Sequence, residues 1–180
     1  MKKFFLFLLM AATFNACNNA PIEGEADAGK NDSAARQTAS LPYSVPNQPD
    51  WEKGSDANVA IAMNALKAYE MNDMNALQQL LTDSVEFHAD DFAFEGSRDS
   101  LVQIMKKHRE MYSGIGVNMH DYESVKSKKR GEEWVGLWYT ETQTLKNGKV
   151  DSFFVMDDIQ IANGKVKEID SKVRRLPANK

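Results

Sequence analysis

The dipeptide Asn147-Gly148, set between two runs rich in β-branched and aromatic residues, constrains this chain more than any other feature. Asn-Gly in that setting is the strongest short-range sign of a β-hairpin. With Asn147 and Gly148 as the two turn residues, Lys146 faces Lys149 and pairing extends outward from there. One face is then expected to carry Trp134, Trp138, Thr140 and Thr142 opposite Ile161, Asp157, Val155 and Phe153. The other carries Leu137, Tyr139 and Glu141 opposite Asp158, Met156 and Phe154. Both faces are largely apolar through the middle, so the hairpin is expected to lie centrally in a sheet covered on both sides.

The segments around it alternate in period. Ser55 or Asp56 caps a helix with Val59, Met63 and Leu66 at helical spacing. A break at Asn72-Asp73 starts a second, short helix with Met74, Leu77 and Leu81 on one side. Val85 and Phe87 alternate with Glu86 and His88, as in a strand. Gly96-Ser97 caps a third helix carrying Leu101, Ile104, Met105, His108 and Met111 or Tyr112. A strand follows Gly114 and Gly116 as far as about Val125, then the hairpin, a turn at Asn163-Gly164, and a last strand from Val166 to Arg174. Two helices, a strand, a helix and four antiparallel strands make an α+β domain with the helices gathered on one side of a bent sheet.

The N-terminus has another character. Met1-Lys2-Lys3 precedes an apolar run, Phe4 to Ala12, too short to span a bilayer. It ends at Phe14-Asn15-Ala16-Cys17, which resembles a bacterial lipoprotein signal: Ala16 and Cys17 match that pattern, and Phe14 and Asn15 depart from it. The resemblance implies cleavage after residue 16 and lipidation of Cys17, which anchors the protein in the cell envelope, with the outer membrane expected. Cys17 is the sole cysteine, so the mature domain forms no internal disulfide. Residues 17–50 are rich in Asn, Ala, Ser, Gly, Pro and Asp and read as a tether with a reach of about 30 Å. Residues 51–176 form the folded domain, long enough for one sizeable core. The formal net charge of −4 argues against a nucleic-acid surface, which needs clustered Lys and Arg. The basic run Lys126 to Arg130 reads as a solvated hairpin loop.

Asp73-Met-Asn-Ala-Leu-Gln-Gln-Leu-Leu-Thr-Asp83-Ser-Val-Glu-Phe87, Phe94-Glu-Gly-Ser97 and Val155-Met-Asp-Asp-Ile-Gln-Ile-Ala-Asn-Gly-Lys-Val166 occur in an order that resembles the nuclear transport factor 2-like superfamily, in its polyketide-cyclase-like (SnoaL-like) branch. The resemblance covers about Trp51 to Arg174. It implies a cone: a curved antiparallel sheet wrapped around a pocket that three N-terminal helices close. Members include isomerases, cyclases, dehydratases and plain binding domains, so fold does not settle activity.

Against the ketosteroid isomerases of that superfamily, one catalytic position of three matches. Asp157 in Val155-Met156-Asp157 aligns with a protonated Asp donor, which desolvation would keep neutral. Phe87 stands where the base belongs and Ala65 where the Tyr donor belongs. His88 and Tyr69 are the nearest substitutes, as base and donor. His88 with Asp90 and Asp91 is a weak metal pattern, because ordinary sites draw ligands from separate elements. Glycine-rich phosphate loops, nucleophile elbows and Cys-His pairs are absent, and no cofactor or metal is expected.

By the same alignment, Trp138, Thr140, Val155, Asp157 and Ile159 look into the cone, joined by Ile169, Ser171 and Val173. This is the make-up of a small-ligand cavity, with Asp157 opposite the Trp138 indole. Leu137, Tyr139, Met156 and Phe154 then face outward and predict a sheet-to-sheet homodimer. The leading reading is a lipid-anchored, non-enzymatic domain that binds a small apolar or amphipathic molecule or a partner. The alternatives are an isomerase-, cyclase- or dehydratase-type enzyme using Asp157 and His88, and an association module with a filled cone.

Overall fold

A computed structural model describes residues 42–44 and 50–177. The chain divides into two units, residues 1–44 and 45–180. Of the first, Pro42 to Ser44 are described, as an exposed bend. Cys17, the leader and nearly all of the tether lie outside the described residues.

The second unit is α+β. Its elements run β1 (Trp51–Lys53), α1 (Asp56–Glu70), α2 (Met74–Leu80), β2 (Leu81–Ala89), β3 (Phe92–Ser97), α3 (Arg98–Arg109), β4 (Tyr112–Ser127), β5 (Glu133–Leu145), β6 (Val150–Ala162) and β7 (Lys165–Arg175). The helices begin where their capping residues dictate. Ser55 Oγ accepts from the Ala57 amide, Asp73 Oδ1 from Ala76 and Ser97 Oγ from Ser100. Leu81, expected to close α2, opens β2 instead.

All seven strands form one curved sheet in the order β1-β4-β5-β6-β7-β2-β3. It is mixed rather than antiparallel, because β2 lies parallel to β7 while the other pairs are antiparallel. A parallel pairing between distant segments leaves no local turn signal, which is why the order of elements did not disclose it. The two short edge strands, β1 and β3, were also not expected. β3 follows a tight turn at Asp90, which takes φ of 49° and gives no glycine to mark it.

The central hairpin forms, with a register one residue from the expected one. The Leu145 amide donates to the Lys149 carbonyl at 2.8 Å and the Gly148 amide to the Leu145 carbonyl at 2.9 Å. The loop is therefore the three residues Lys146, Asn147 and Gly148, with Gly148 alone in the left-handed region, at φ 83°. That is a turn followed by a left-handed residue, not the two-residue turn that needs positive φ at both positions. Asn163-Gly164 is the two-residue form: φ is 52° and 71° there, and Ala162 pairs with Lys165.

A one-residue slip inverts a strand's faces. In β5, Val135, Leu137, Tyr139 and Glu141 point into the core opposite Ile159, Asp157, Val155 and Phe153. Trp138 pairs with Met156 and Thr140 with Phe154, on the outer face. Trp138 lies over Gly136, where an added Cβ would come within 2.9 Å of its ring. The expectation that Leu137 and Tyr139 face outward with Met156 and Phe154 is corrected accordingly.

α1 crosses the inner face on a stripe of small residues, Ala62, Ala65 and Ala68, which lets it approach the sheet closely. Its first turn is tied to β5 by Asn58, whose amide donates to Glu133. Leu101 and Val102 of α3 and Leu77 of α2 complete the core.

Candidate functional site

Burial along the inner face is uneven. At one end Leu81, Val135, Leu137, Ile159, Ile161 and Val166 are essentially dry. Toward the other end, Phe87, Val117, Met119, Phe153, Ile169 and Val173 face the same interior and stay half-buried. These side chains point inward yet keep contact with solvent.

Asp157 sits on the floor of that end, 6% exposed, on β6 opposite Leu137 and Ser171. Tyr139 Oη donates to its Oδ2 at 2.8 Å and Ser171 Oγ to its Oδ1 at 2.5 Å. Desolvation pushes the Asp157 carboxyl above its usual range, and the Ser171 and Tyr139 hydroxyls pull the other way. Burial, with the charge of Asp157, also raises Tyr139. In its neutral form Asp157 turns its own proton to one of the two hydroxyl oxygens. That releases the hydroxyl's hydrogen to another acceptor. The trio can thus donate or accept at one spot, according to its protonation.

Glu141 follows Tyr139 on the same face, buried, with Gln143 Nε2 donating to its Oε1 at 2.6 Å. Burial lifts its carboxyl, and Asp157 adds to the lift. Above it, Tyr69 in the last turn of α1 bonds His108 Nδ1 at 2.6 Å, and Tyr112 approaches His108 Nε2 at 3.4 Å. Burial raises Tyr69 and Tyr112 and lowers His108. Arg109 is buried, and its guanidinium donates to the carbonyls of Glu70 and Tyr112 at 3.2–3.3 Å. It therefore joins the end of α1 to the start of β4 and fixes the rim.

Of the residues singled out from sequence, Val155, Asp157, Ile159, Ile169 and Ser171 share the inner face, with Phe87 and Ala65 also inward. Tyr69 is at the rim. Trp138 and Thr140 are on the opposite side of the sheet, where Thr140 Oγ1 lies 2.8 Å from His120 Nε2. The Asp157 carboxyl is satisfied by Tyr139 and Ser171, and not by the Trp138 indole. His88 faces outward too, because Phe87 and Ile169 take the inward positions of that register. The sheet therefore separates His88 from Asp157, and the two cannot act as an acid–base pair. Asp90 and Asp91 are in the turn beyond β2, and the groups beside His88 are Glu86 and Glu168.

Tyr139 and Glu141 were missed as inward residues because the register was displaced. The signal was present in Val135-Gly136-Leu137, where a strand-interior glycine between two aliphatic residues marks a close approach by another group, here the Trp138 ring on the outer face. Two surface hollows are described away from Asp157, one between β1 and the first turn of α1, the other beside the Asn163-Gly164 turn.

No protein-family model matches the sequence, and no curated protein matches it. Solved structures do match by fold. An LEH-like epoxide hydrolase of M. tuberculosis is similar at a TM-score of 0.56 and 12% identity, over 67% of this chain and 84% of that one. AusH of Aspergillus nidulans is similar at 0.56 and 10%, over 71% and 90%. An NTF2-like protein of Burkholderia xenovorans LB400 is similar at 0.52 and 15%, over 68% and 93%. At such identities the likeness is one of fold, and fold alone does not carry an activity.

Proposed function

We propose, from the nuclear transport factor 2-like fold that this chain has, that it is a binding domain taking a small apolar or amphipathic molecule into the open end of its cone. One observation carries the reading: a half-buried apolar wall, Phe87, Phe153, Ile169 and Val173, stands around a buried Asp157 held by two hydroxyls. Such a wall favours an apolar body, and a single polar cluster fixes its orientation. The ligand's polar group meets Tyr139 and Ser171, and its apolar part lies against the wall. The test is native mass spectrometry of the chain purified from its own host. A discrete small-molecule adduct that Asp157→Ala removes supports the reading; its absence over repeated preparations favours a filled cone.

Turnover is the second reading, favoured by the pairing of Asp157 with Glu141 on one face, both carboxyls pushed up by burial. Two such groups can divide acid and base roles. In that reading Glu141, not His88, is the base.

The same proposal includes lipidation at Cys17 as the anchor to the cell envelope and association of two copies through the outer face of the sheet. Trp134, Trp138, Phe154 and Met156 supply the apolar part of that face.

A further inference from the structure

We infer that the outer face of the parallel pair β2–β7 holds a divalent metal ion of the zinc class between Glu86, His88 and Glu168. Residues two apart on a strand share a face, so Glu86 and His88 project together. The register sets Glu86 opposite Glu168 and His88 opposite Asp170. One imidazole nitrogen and one oxygen from each glutamate lie within 4.8 Å of one another, on half-buried side chains. A rotamer adjustment closes that spread to a single coordination sphere, with bonds of about 2.0–2.2 Å.

The charge balance gives the independent argument. On the adjoining β6–β7 pair the neighbouring acidic side chains have a cation: Lys172 holds Asp158 at 2.7 Å and Asp170 at 2.8 Å. Among the described residues, Glu86, His88 and Glu168 form no ion pair and no side-chain hydrogen bond. Two like charges directly opposite across a strand pair repel, and Glu95, opposite Glu86 on β3, adds a third. A bound cation relieves that repulsion.

The donor set also selects the ion. One imidazole and two carboxylates, with no thiolate, suit Zn²⁺ and neighbouring divalent transition ions and do not suit Cu⁺. Asp170 is engaged by Lys172 and Glu95 is exposed on the edge strand, so among the described residues Glu86, His88 and Glu168 are the ligands and water completes the sphere. The sheet separates this site from Asp157, so the inference stands apart from the ligand-binding reading.

The test uses the full chain carrying Cys17→Ser, to remove its one thiol, stripped with chelator and titrated with zinc chloride. Calorimetry is expected to show one Zn²⁺ per chain, and saturation to raise the thermal midpoint by about 5 °C. Mg²⁺ at the same concentration is expected to do neither. His88→Ala and the near-isosteric Glu168→Gln should each weaken Zn²⁺ binding at least about 10-fold, while His108→Ala and His120→Ala leave it intact. Absence of stoichiometric binding overturns the inference, as does binding that survives both His88→Ala and Glu168→Gln. Should His88→Ala fail to fold, Glu168→Gln decides alone.

Discussion

Tyr139 donates its hydroxyl hydrogen to Asp157 across the inner face of the β5–β6 pair, at 2.8 Å. Both residues are buried, and the bond closes one side of a carboxyl that Ser171 closes on the other. Such a bond is costly to break from one end, because a buried carboxylate left short of a donor keeps its desolvation penalty. Tyr139→Phe is expected to cost about 1–3 kcal/mol in chemical denaturation where Asp157 is ionised, and less at lower pH, where the carboxyl is protonated.

Asp157 also sets a pH dependence. Its folded pKa is raised above the unfolded value, with burial as the first cause. The stability tied to this group is therefore fully present below the unfolded carboxylate value and is lost as pH rises through the folded one. Asp157→Asn removes that loss. The variant should be flatter than the wild type across this window and more stable than it at the alkaline end. Urea denaturation at pH 4 and pH 8 checks both; an equal loss at the two pH values contradicts the assignment.

Much of the fold was legible. Ser55 or Asp56, the break at Asn72-Asp73 and Gly96-Ser97 mark the three helix starts by residue type and by the helical spacing of the apolar residues after them, and in the structure Ser55, Asp73 and Ser97 are the caps. The inward set of β6 and β7, Val155, Asp157, Ile159, Ile169 and Ser171, was legible through the resemblance of their sequence to the superfamily's closing strands. The inward set of β5 was not, because Asn-Gly serves two loop lengths that differ by one residue, and that one residue inverts the strand. The juxtaposition of His88 with Glu168 was equally hidden, since it depends on a parallel pairing between segments far apart in sequence.

The register has its own test. Gly136 is covered by the Trp138 ring, with a contact of 2.9 Å for any added Cβ. Gly136→Val should displace that ring, shift the tryptophan emission and cost about 1–3 kcal/mol. Gly148→Ala should cost about 1 kcal/mol through its positive φ, without changing the emission.

Arg109 joins α1 to β4 through the Glu70 and Tyr112 carbonyls. Arg109→Lys keeps the charge and loses the fork, and should cost about 1–3 kcal/mol in thermal or chemical unfolding. Hydrogen exchange should quicken at the last turn of α1 before it does in β5 or β6.

The proposed anchor is tested by fractionation. Cys17→Ala should move the protein from the membrane to the soluble fraction, and retention on the membrane would contradict lipidation at that residue.

The central claim is that a ligand occupies the open end of the cone, against Val173 and Asp157 and away from Trp138. Native mass spectrometry of three host-purified proteins, the wild type, Val173→Phe and Trp138→Ala, tests it most directly. The account predicts the same small-molecule adduct on the wild type and on Trp138→Ala, and its loss from a folded Val173→Phe whose added ring fills the hollow. An adduct that persists in Val173→Phe, or that depends on Trp138, contradicts it.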